Sequence, residues 1–233
     1  DAPTLPRPGD LALPHDVPAM EYLMLCGGQF SKSRILAVCL PSFLEHHDPD
    51  TLRYYLSINM PENHDTDFTW EDFVEKINSE LIAAFGNFAH RVLTLTVKLR
   101  EAGLGELADW ERSESLTEDI QTWHAQHTAV SDSLDRHRFK EALRGVMNIA
   151  QQGNGVVQRA APWVALKPDA TSDVRTASFA GLALAARMLK GIAITIQPFL
   201  PAAAQRLWTM QGYMGDVSEA CWDDAVNMNV PLP

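Results

Sequence analysis

Positive charge is scarce in this sequence. Its 233 residues include 19 Lys and Arg against 30 Asp and Glu, a formal net charge of −11 at pH 7. A protein that binds nucleic acid mainly through its phosphates needs an excess of Lys and Arg side chains. The charge balance therefore argues against extended backbone binding, and against DNA as a partner. It still permits a small RNA site that relies on stacking and base contacts.

Cysteines and long apolar runs are also few. Cys26, Cys39 and Cys221 lie in no CxxC or CxH spacing, which excludes a disulfide framework and a zinc knuckle. Lys190 and Gln197 interrupt the longest apolar stretches, so none is long enough to span a bilayer. The N-terminus lacks the basic and apolar order of a signal peptide. We therefore expect a cytoplasmic protein without a membrane partner.

Residues 1–66 are predicted to form a short α/β segment. Prolines at positions 3, 6, 8, 14 and 18 exclude a helix at the start, and residues 21–25 predict a strand closed by Gly27 and Gly28. This proline-rich opening cannot fold alone. Residues 230–233 also look like a point at which a longer chain has been cut. We expect the chain to be a piece of a larger protein.

Residues 67–233 are predicted to form an antiparallel helix bundle, which makes the fold mainly α. A helix start is already predicted before this range, at Asp48-Pro49-Asp50. Within the range, Thr69 with Asp72 resembles a capping box. Apolar residues at three- and four-residue steps from Trp70 to Leu95 predict one long amphipathic helix that ends near Gly103.

Further helices are expected toward the C-terminus. Residues 115–130 are weakly patterned, whereas Phe139 to Val157 predict a second long helix, with Gly153 and Gly155 as weak points. Ala177 to Ile196 are apolar nearly all round and predict a central helix, and residues 202–210 a short one.

Three groups of residues could carry function. The first group follows a glycine turn and places two hydroxyls beside a cation: Ser31, Lys32 and Ser33. Such a loop either binds a triphosphate or is an ordinary solvated loop. Asn87 and Arg91 are helix neighbours, and such a pair hydrogen-bonds either RNA or another helix.

Trp163 is the third candidate, since it follows the second long helix at Pro162. A tryptophan there is either a stacking platform for an unpaired base or a half-buried lid on the core.

A metal site is not expected. No second cluster with ligand spacing accompanies His46, His47, Asp48 and His64, so we expect a solvated turn there.

Several strings together resemble the methionyl-tRNA synthetases, which are class I aminoacyl-tRNA synthetases. They are Asp16-Val17-Pro18-Ala19-Met20-Glu21-Tyr22-Leu23, Gly28-Gln29-Phe30-Ser31-Lys32-Ser33-Arg34, Pro61-Glu62-Asn63-His64, Gly86-Asn87-Phe88-Ala89-His90-Arg91 and Ala161-Pro162-Trp163. The resemblance is dense from 16 to about 95 and returns at 154–167 and 198–208. Residues 1–66 then correspond to the end of a catalytic region, and residues 67–233 to an anticodon-binding domain.

The resemblance implies a methionine–tRNA ligase that uses ATP with Mg²⁺ and acts on initiator and elongator tRNA(Met). It implies that Lys32, helped by Ser31 and Ser33, stabilises ATP phosphates while methionyl adenylate forms. It also implies that Asn87, Arg91 and Trp163 read the CAU anticodon, and that the helical domain binds no cofactor.

Two departures from the family pattern matter. The usual Lys-Met-Ser-Lys-Ser loop has Gln29 in place of its first lysine. The His-Ile-Gly-His motif and the methionine pocket belong to an earlier region, so this polypeptide alone should not aminoacylate tRNA. The alternative is a non-catalytic helical module that binds a protein partner, motivated by the hydrophobic helix 177–196 and the acidic surface.

Overall fold

The computed structural model describes residues 16–31, 38–105, 107, 116–229 and 232. A small sheet begins this part of the chain, with strands β1 (Leu23–Leu25), β2 (Gly28–Gln29) and β3 (Thr66–Phe68). Strand β1 pairs antiparallel with β2 and parallel with β3. The predicted first strand is confirmed, although it begins two residues later, and β3 was not predicted.

Cys26 and Gly27 form the two-residue turn between β1 and β2. Their φ angles of 48° and 75° are both positive, as in the turns that suit the twist of a hairpin. Oδ2 of Asp67 on β3 accepts a hydrogen bond of 2.8 Å from the backbone N–H of Gly27. The third strand therefore fixes the hairpin that leads to Ser31.

Helices α1 (Leu40–His46) and α2 (Pro49–Ile58) follow the sheet. The predicted start of α2 is confirmed, since Oδ1 of Asp48 accepts a hydrogen bond of 2.8 Å from the backbone N–H of Asp50. Helix α1 was not predicted. Side chains of α2 also reach the distant end of the chain, because Arg53 donates to the carbonyl oxygen of Phe199 at 2.6 Å.

The predicted long helix is continuous from residue 70 to residue 101. It consists of α3 (Trp70–Lys76), a π-helical segment (Ile77–Gly86) and α4 (Asn87–Glu101). Thr69 caps it, with Oγ1 accepting from the backbone N–H of Asp72 at 3.2 Å. The expected α-helical geometry is wrong over the middle segment. Apolar residues recur there at four-residue steps, a spacing that does not separate an α-helix from wider π turns.

The remaining helices form an antiparallel bundle, which confirms the predicted mainly-α fold. They are α5 (Thr117–Asp135), α6 (Phe139–Ala160), α7 (Pro162–Ala165), α8 (Ser172–Ile196) and α9 (Pro201–Met210), followed by the 3₁₀ turns Val217–Glu219 and Trp222–Ala225. The weakly patterned region 115–130 is thus a long helix. Helix α8 begins five residues before the predicted Ala177, because Thr171 caps it through the backbone N–H of Val174.

Helix α8 is the centre of the bundle. Every residue from Ser178 to Ile196 is buried. The expectation that no apolar stretch is long enough to span a bilayer is wrong by length and composition, because Lys190 does not lower the mean hydropathy of this helix enough. Its most apolar window is nevertheless wholly buried inside the protein. Its apolar side chains are therefore not available to a protein partner, which removes one of the two observations behind the alternative function.

Gly153 and Gly155 do not interrupt α6, which is unbroken from Phe139 to Ala160. At Gly153 a helix contact explains why a side chain is absent. A Cβ atom added at Gly153 would overlap the ring of Phe88 on α4. The absent side chain lets α4 and α6 approach closely, and that approach sets the position of the candidate site.

Candidate nucleic-acid interface

Arg91 on α4 is held by two amide side chains of α6. Its Nη1 donates to Oδ1 of Asn154 at 3.3 Å, and its Nη2 donates to Oε1 of Gln158 at 3.1 Å. The two acceptors are four residues apart and therefore lie one turn apart on the same face of α6. Two separate hydrogen bonds restrain the planar guanidinium in one orientation.

Trp163 on α7 completes this arrangement. The guanidinium carbon of Arg91 lies 5.7 Å from the centroid of the tryptophan ring, within the range of a cation–π interaction. Trp163 as a whole remains 40% exposed. A large aromatic surface thus stands in solvent beside a fixed cation, as a site for an unpaired base requires.

The position of Trp163 is set by the backbone between α6 and α7. Ala161 ends α6 in the left-handed conformation, with φ 45° and ψ 54°, a region that non-glycine residues rarely adopt. Pro162 is buried and begins α7. Arg175 on α8 then donates hydrogen bonds of 3.3 to 3.4 Å to carbonyl oxygens at and just after the end of α7, those of Ala165, Lys167 and Pro168.

Asn154 joins the site to the π-helical segment. Its Nδ2 donates to the carbonyl oxygen of Ala84 at 3.0 Å, while its Oδ1 accepts from Arg91. The ring of Phe88 lies against Gly153, the preceding residue. Close packing and a bridging amide therefore fix α4 relative to α6.

Asn87 is the first residue of α4 and lies one turn before Arg91. It is exposed, whereas Phe85, Phe88 and Val92 are buried, as expected for the predicted amphipathic helix. Within the described part of the chain, its side-chain amide has no hydrogen-bond partner. The amide is free to bind a polar edge of a ligand.

The structure brings Arg91 and Trp163 together and places Asn87 one helical turn before Arg91 on α4. It also bears on the choice between an RNA contact and an interhelix bond, since Arg91 does bind another helix, through Asn154 and Gln158. Its role toward RNA stays a prediction. The two amides were missed from the sequence, although their four-residue spacing just before Ala161-Pro162-Trp163 was a usable signal.

The predicted phosphate loop is described only in part. Ser31 lies two residues after the end of β2 and is partly buried, whereas Lys32 and Ser33 lie outside the described residues. The roles of these three residues therefore stay predictions.

No metal cluster occurs in the described ranges, where no three His, Cys, Asp or Glu side chains are placed to share an ion. His46 and His47 are exposed at the end of α1. The ring of His47 packs against Phe43, with centroids 4.5 Å apart.

Two family models match the chain. Residues 3–93 match class I tRNA synthetases (M), and residues 105–231 match the anticodon binding domain of methionyl tRNA ligase. The fold is also that of Mycobacterium tuberculosis methionyl-tRNA synthetase in complex with methionyl-adenylate, with a TM-score of 0.68 at 20% identity over 84% of this chain and 38% of that one.

The chain belongs to the methionyl-tRNA synthetase family. It is 39% identical to methionine–tRNA ligase of Aeropyrum pernix, over 95% of this chain and 37% of that protein. It is 37% identical to that of Pyrococcus abyssi, over 84% of this chain and 26% of that protein. The chain thus spans between about a quarter and little more than a third of the length of these relatives.

Proposed function

We propose that the helical part of this chain recognises the CAU anticodon of tRNA(Met), initiator and elongator alike. The complete protein then joins methionine to tRNA(Met) through methionyl adenylate, using ATP with Mg²⁺ in the cytoplasm. The observation that carries the proposal is Arg91, held by Asn154 and Gln158 beside the exposed ring of Trp163.

Each side chain has a distinct task. A splayed base stacks on Trp163, a contact that contributes about 1–3 kcal/mol per base. Asn87 and Arg91 donate hydrogen bonds to base edges or to a phosphate. Because the guanidinium is already held by two amides, less conformational entropy is lost when RNA binds.

The acidic character of the chain is consistent with this mode of binding. With a net charge of −11, the protein does not attract RNA by overall charge. Recognition of an unpaired loop needs only a few stacking and polar contacts. Specificity therefore resides in the site formed by Asn87, Arg91 and Trp163.

The loop after β2 serves the first chemical step. Lys32 stabilises negative charge that develops on ATP while the adenylate forms, and Ser31 and Ser33 contribute hydrogen bonds. In the full-length protein, Lys32→Ala should slow adenylate formation far more than it weakens tRNA binding. Equal and mild effects on both would contradict the phosphate role.

The anticodon assignment is tested by Trp163→Ala with Val164→Ala as the matched control. Val164 is also 40% exposed and is the next residue of α7. Loss of the stacking surface should weaken binding of a CAU hairpin by about five- to 150-fold, whereas the control should bind normally. Unchanged affinity in the tryptophan variant would show that the ring is only a lid on the core.

A further inference from the structure

A polar cavity of about 460 Å³ lies at the opposite end of α6 from Trp163. It is lined by the segment after α2 and by the first turns of α6. Charged and titratable side chains line most of it: Glu62, His64, Arg138, Lys140, Glu141 and Arg144.

Two cations of this cavity, Lys140 and Arg144, form no ion pair within the described residues, although the charge of Glu62 acts on Lys140. Glu141 pairs with Arg138 at 3.4 Å, and Glu62 accepts a hydrogen bond of 2.8 Å from the backbone N–H of Lys140. The cavity therefore carries three cations against two carboxylates, a local excess of positive charge in a chain whose net charge is −11.

The electrostatics of Lys140 agree with this picture. Burial lowers its pKa, and the neighbouring charges of Arg144 and Lys76 lower it further, while Glu62 opposes the shift. Like charges that crowd one another in this way are stabilised when an anion enters between them. Lys supplies a compact charge and Arg a planar fork, the two groups that suit phosphate oxygens.

The cavity is aligned with the candidate anticodon site. Lys140 and Gln158 are 18 residues apart, which is five whole turns at 3.6 residues per turn, so they lie on the same side of α6. At 1.5 Å per residue, the 14 to 18 residues from Arg144 or Lys140 to Gln158 span about 21–27 Å. Along the axis of a duplex, at about 3.4 Å per phosphate on each strand, that length corresponds to roughly six to eight phosphate steps.

We propose that Lys140 and Arg144 bind backbone phosphates of the RNA stem whose loop contacts Trp163. The inference rests on the proposed anticodon recognition and extends it from bases to backbone. Because phosphates are the same in every sequence, this contact adds affinity and orients the stem without choosing between anticodons. It also lies beside the segment that connects α2 to β3.

The test measures binding of CAU hairpins to the 233-residue chain between about 50 and 200 mM salt. The variants are Lys140→Gln and Arg144→Gln, with Lys98→Gln as the control that removes an exposed charge from α4. Each cavity variant should lower the slope of log affinity against log salt by about one. The ratio of wild-type affinity to variant affinity should therefore fall by about threefold as the salt rises across this range.

Three further readouts separate a phosphate contact from other effects. The cavity variants should weaken CAU and altered hairpins equally and should bind a stemless loop oligonucleotide as the wild type does. Arg144→Lys should restore the slope, because it keeps the charge. Circular dichroism should show unchanged helix content, since Arg144 is exposed.

Two results would overturn the inference in distinguishable ways. Tight hairpin binding with wild-type salt slopes in both cavity variants would overturn it alone and leave anticodon recognition intact. No binding of any hairpin by the folded wild-type chain would overturn the proposed function and this inference together.

Discussion

Substituting alanine at two glycines of α6 should change stability in opposite directions. Phe88 is fully buried, and a Cβ atom at Gly153 would overlap three atoms of its ring. A Cβ atom at Gly155 would lie 3.3 Å from Nη1 of Arg159, the end of a side chain that is 62% exposed and can move.

The difference between the two variants isolates the steric effect. Alanine favours a helix over glycine by about 1 kcal/mol at either position, so this contribution cancels in the comparison. Overpacking a core costs about 1–3 kcal/mol. Gly153→Ala should therefore be less stable than Gly155→Ala by about 1–3 kcal/mol, and Gly155→Ala should be more stable than the wild type by up to about 1 kcal/mol.

Urea and thermal unfolding followed by circular dichroism measure this difference. For a chain of this size, each kcal/mol corresponds to about 2–4 °C in Tm. Because Gly153 precedes Asn154, the same variant should also weaken CAU hairpin binding, while Gly155→Ala should not. Equal stabilisation by both substitutions would refute the close contact between α4 and α6.

Three other predictions follow from single contacts. Thr69→Ala should lower the free energy of unfolding by about 1 kcal/mol through loss of the N-cap, whereas Thr69→Ser should keep it, and equal urea midpoints for all three proteins would contradict the cap. Asn154→Ala should remove the acceptor of Arg91 and the donor to Ala84, which costs about 1–3 kcal/mol of stability and weakens CAU hairpin binding; wild-type values of both would contradict the bridge. Burial lowers the pKa of His127, and the charge of His124 adds to the effect while Asp223 opposes it. As the pH falls through the ordinary value of 6.5, the unfolded chain takes up the proton first, so stability should fall there. His127→Gln should remove that part of the decline, and an identical pH profile in urea titrations would exclude His127 as its source.

Local signals were read correctly from the sequence because their physics is local. Asp48 and Thr69 cap helices through backbone N–H groups two and three residues away. The polar and apolar faces around Asn87 follow from helical spacing alone. The family resemblance then supplied roles for Lys32, Arg91 and Trp163 that spacing could not give.

Features that depend on distant partners were missed. Strand β3 is only three residues long and exists through pairing with β1, more than 40 residues earlier. Gly153 resembled a helix weak point, because the ring of Phe88 that occupies its space comes from another helix. Asn154 and Gln158 matter only because folding brings them to Arg91.

Binding of this chain to a CAU anticodon hairpin, beside hairpins altered at each anticodon base, tests the central claim most directly. Tight binding of the CAU hairpin that collapses when single bases change is the predicted result, because stacking on Trp163 and polar contacts from Asn87 and Arg91 depend on the base presented. Equal affinity for every loop, from a chain with intact helical circular dichroism, would contradict anticodon recognition by this surface.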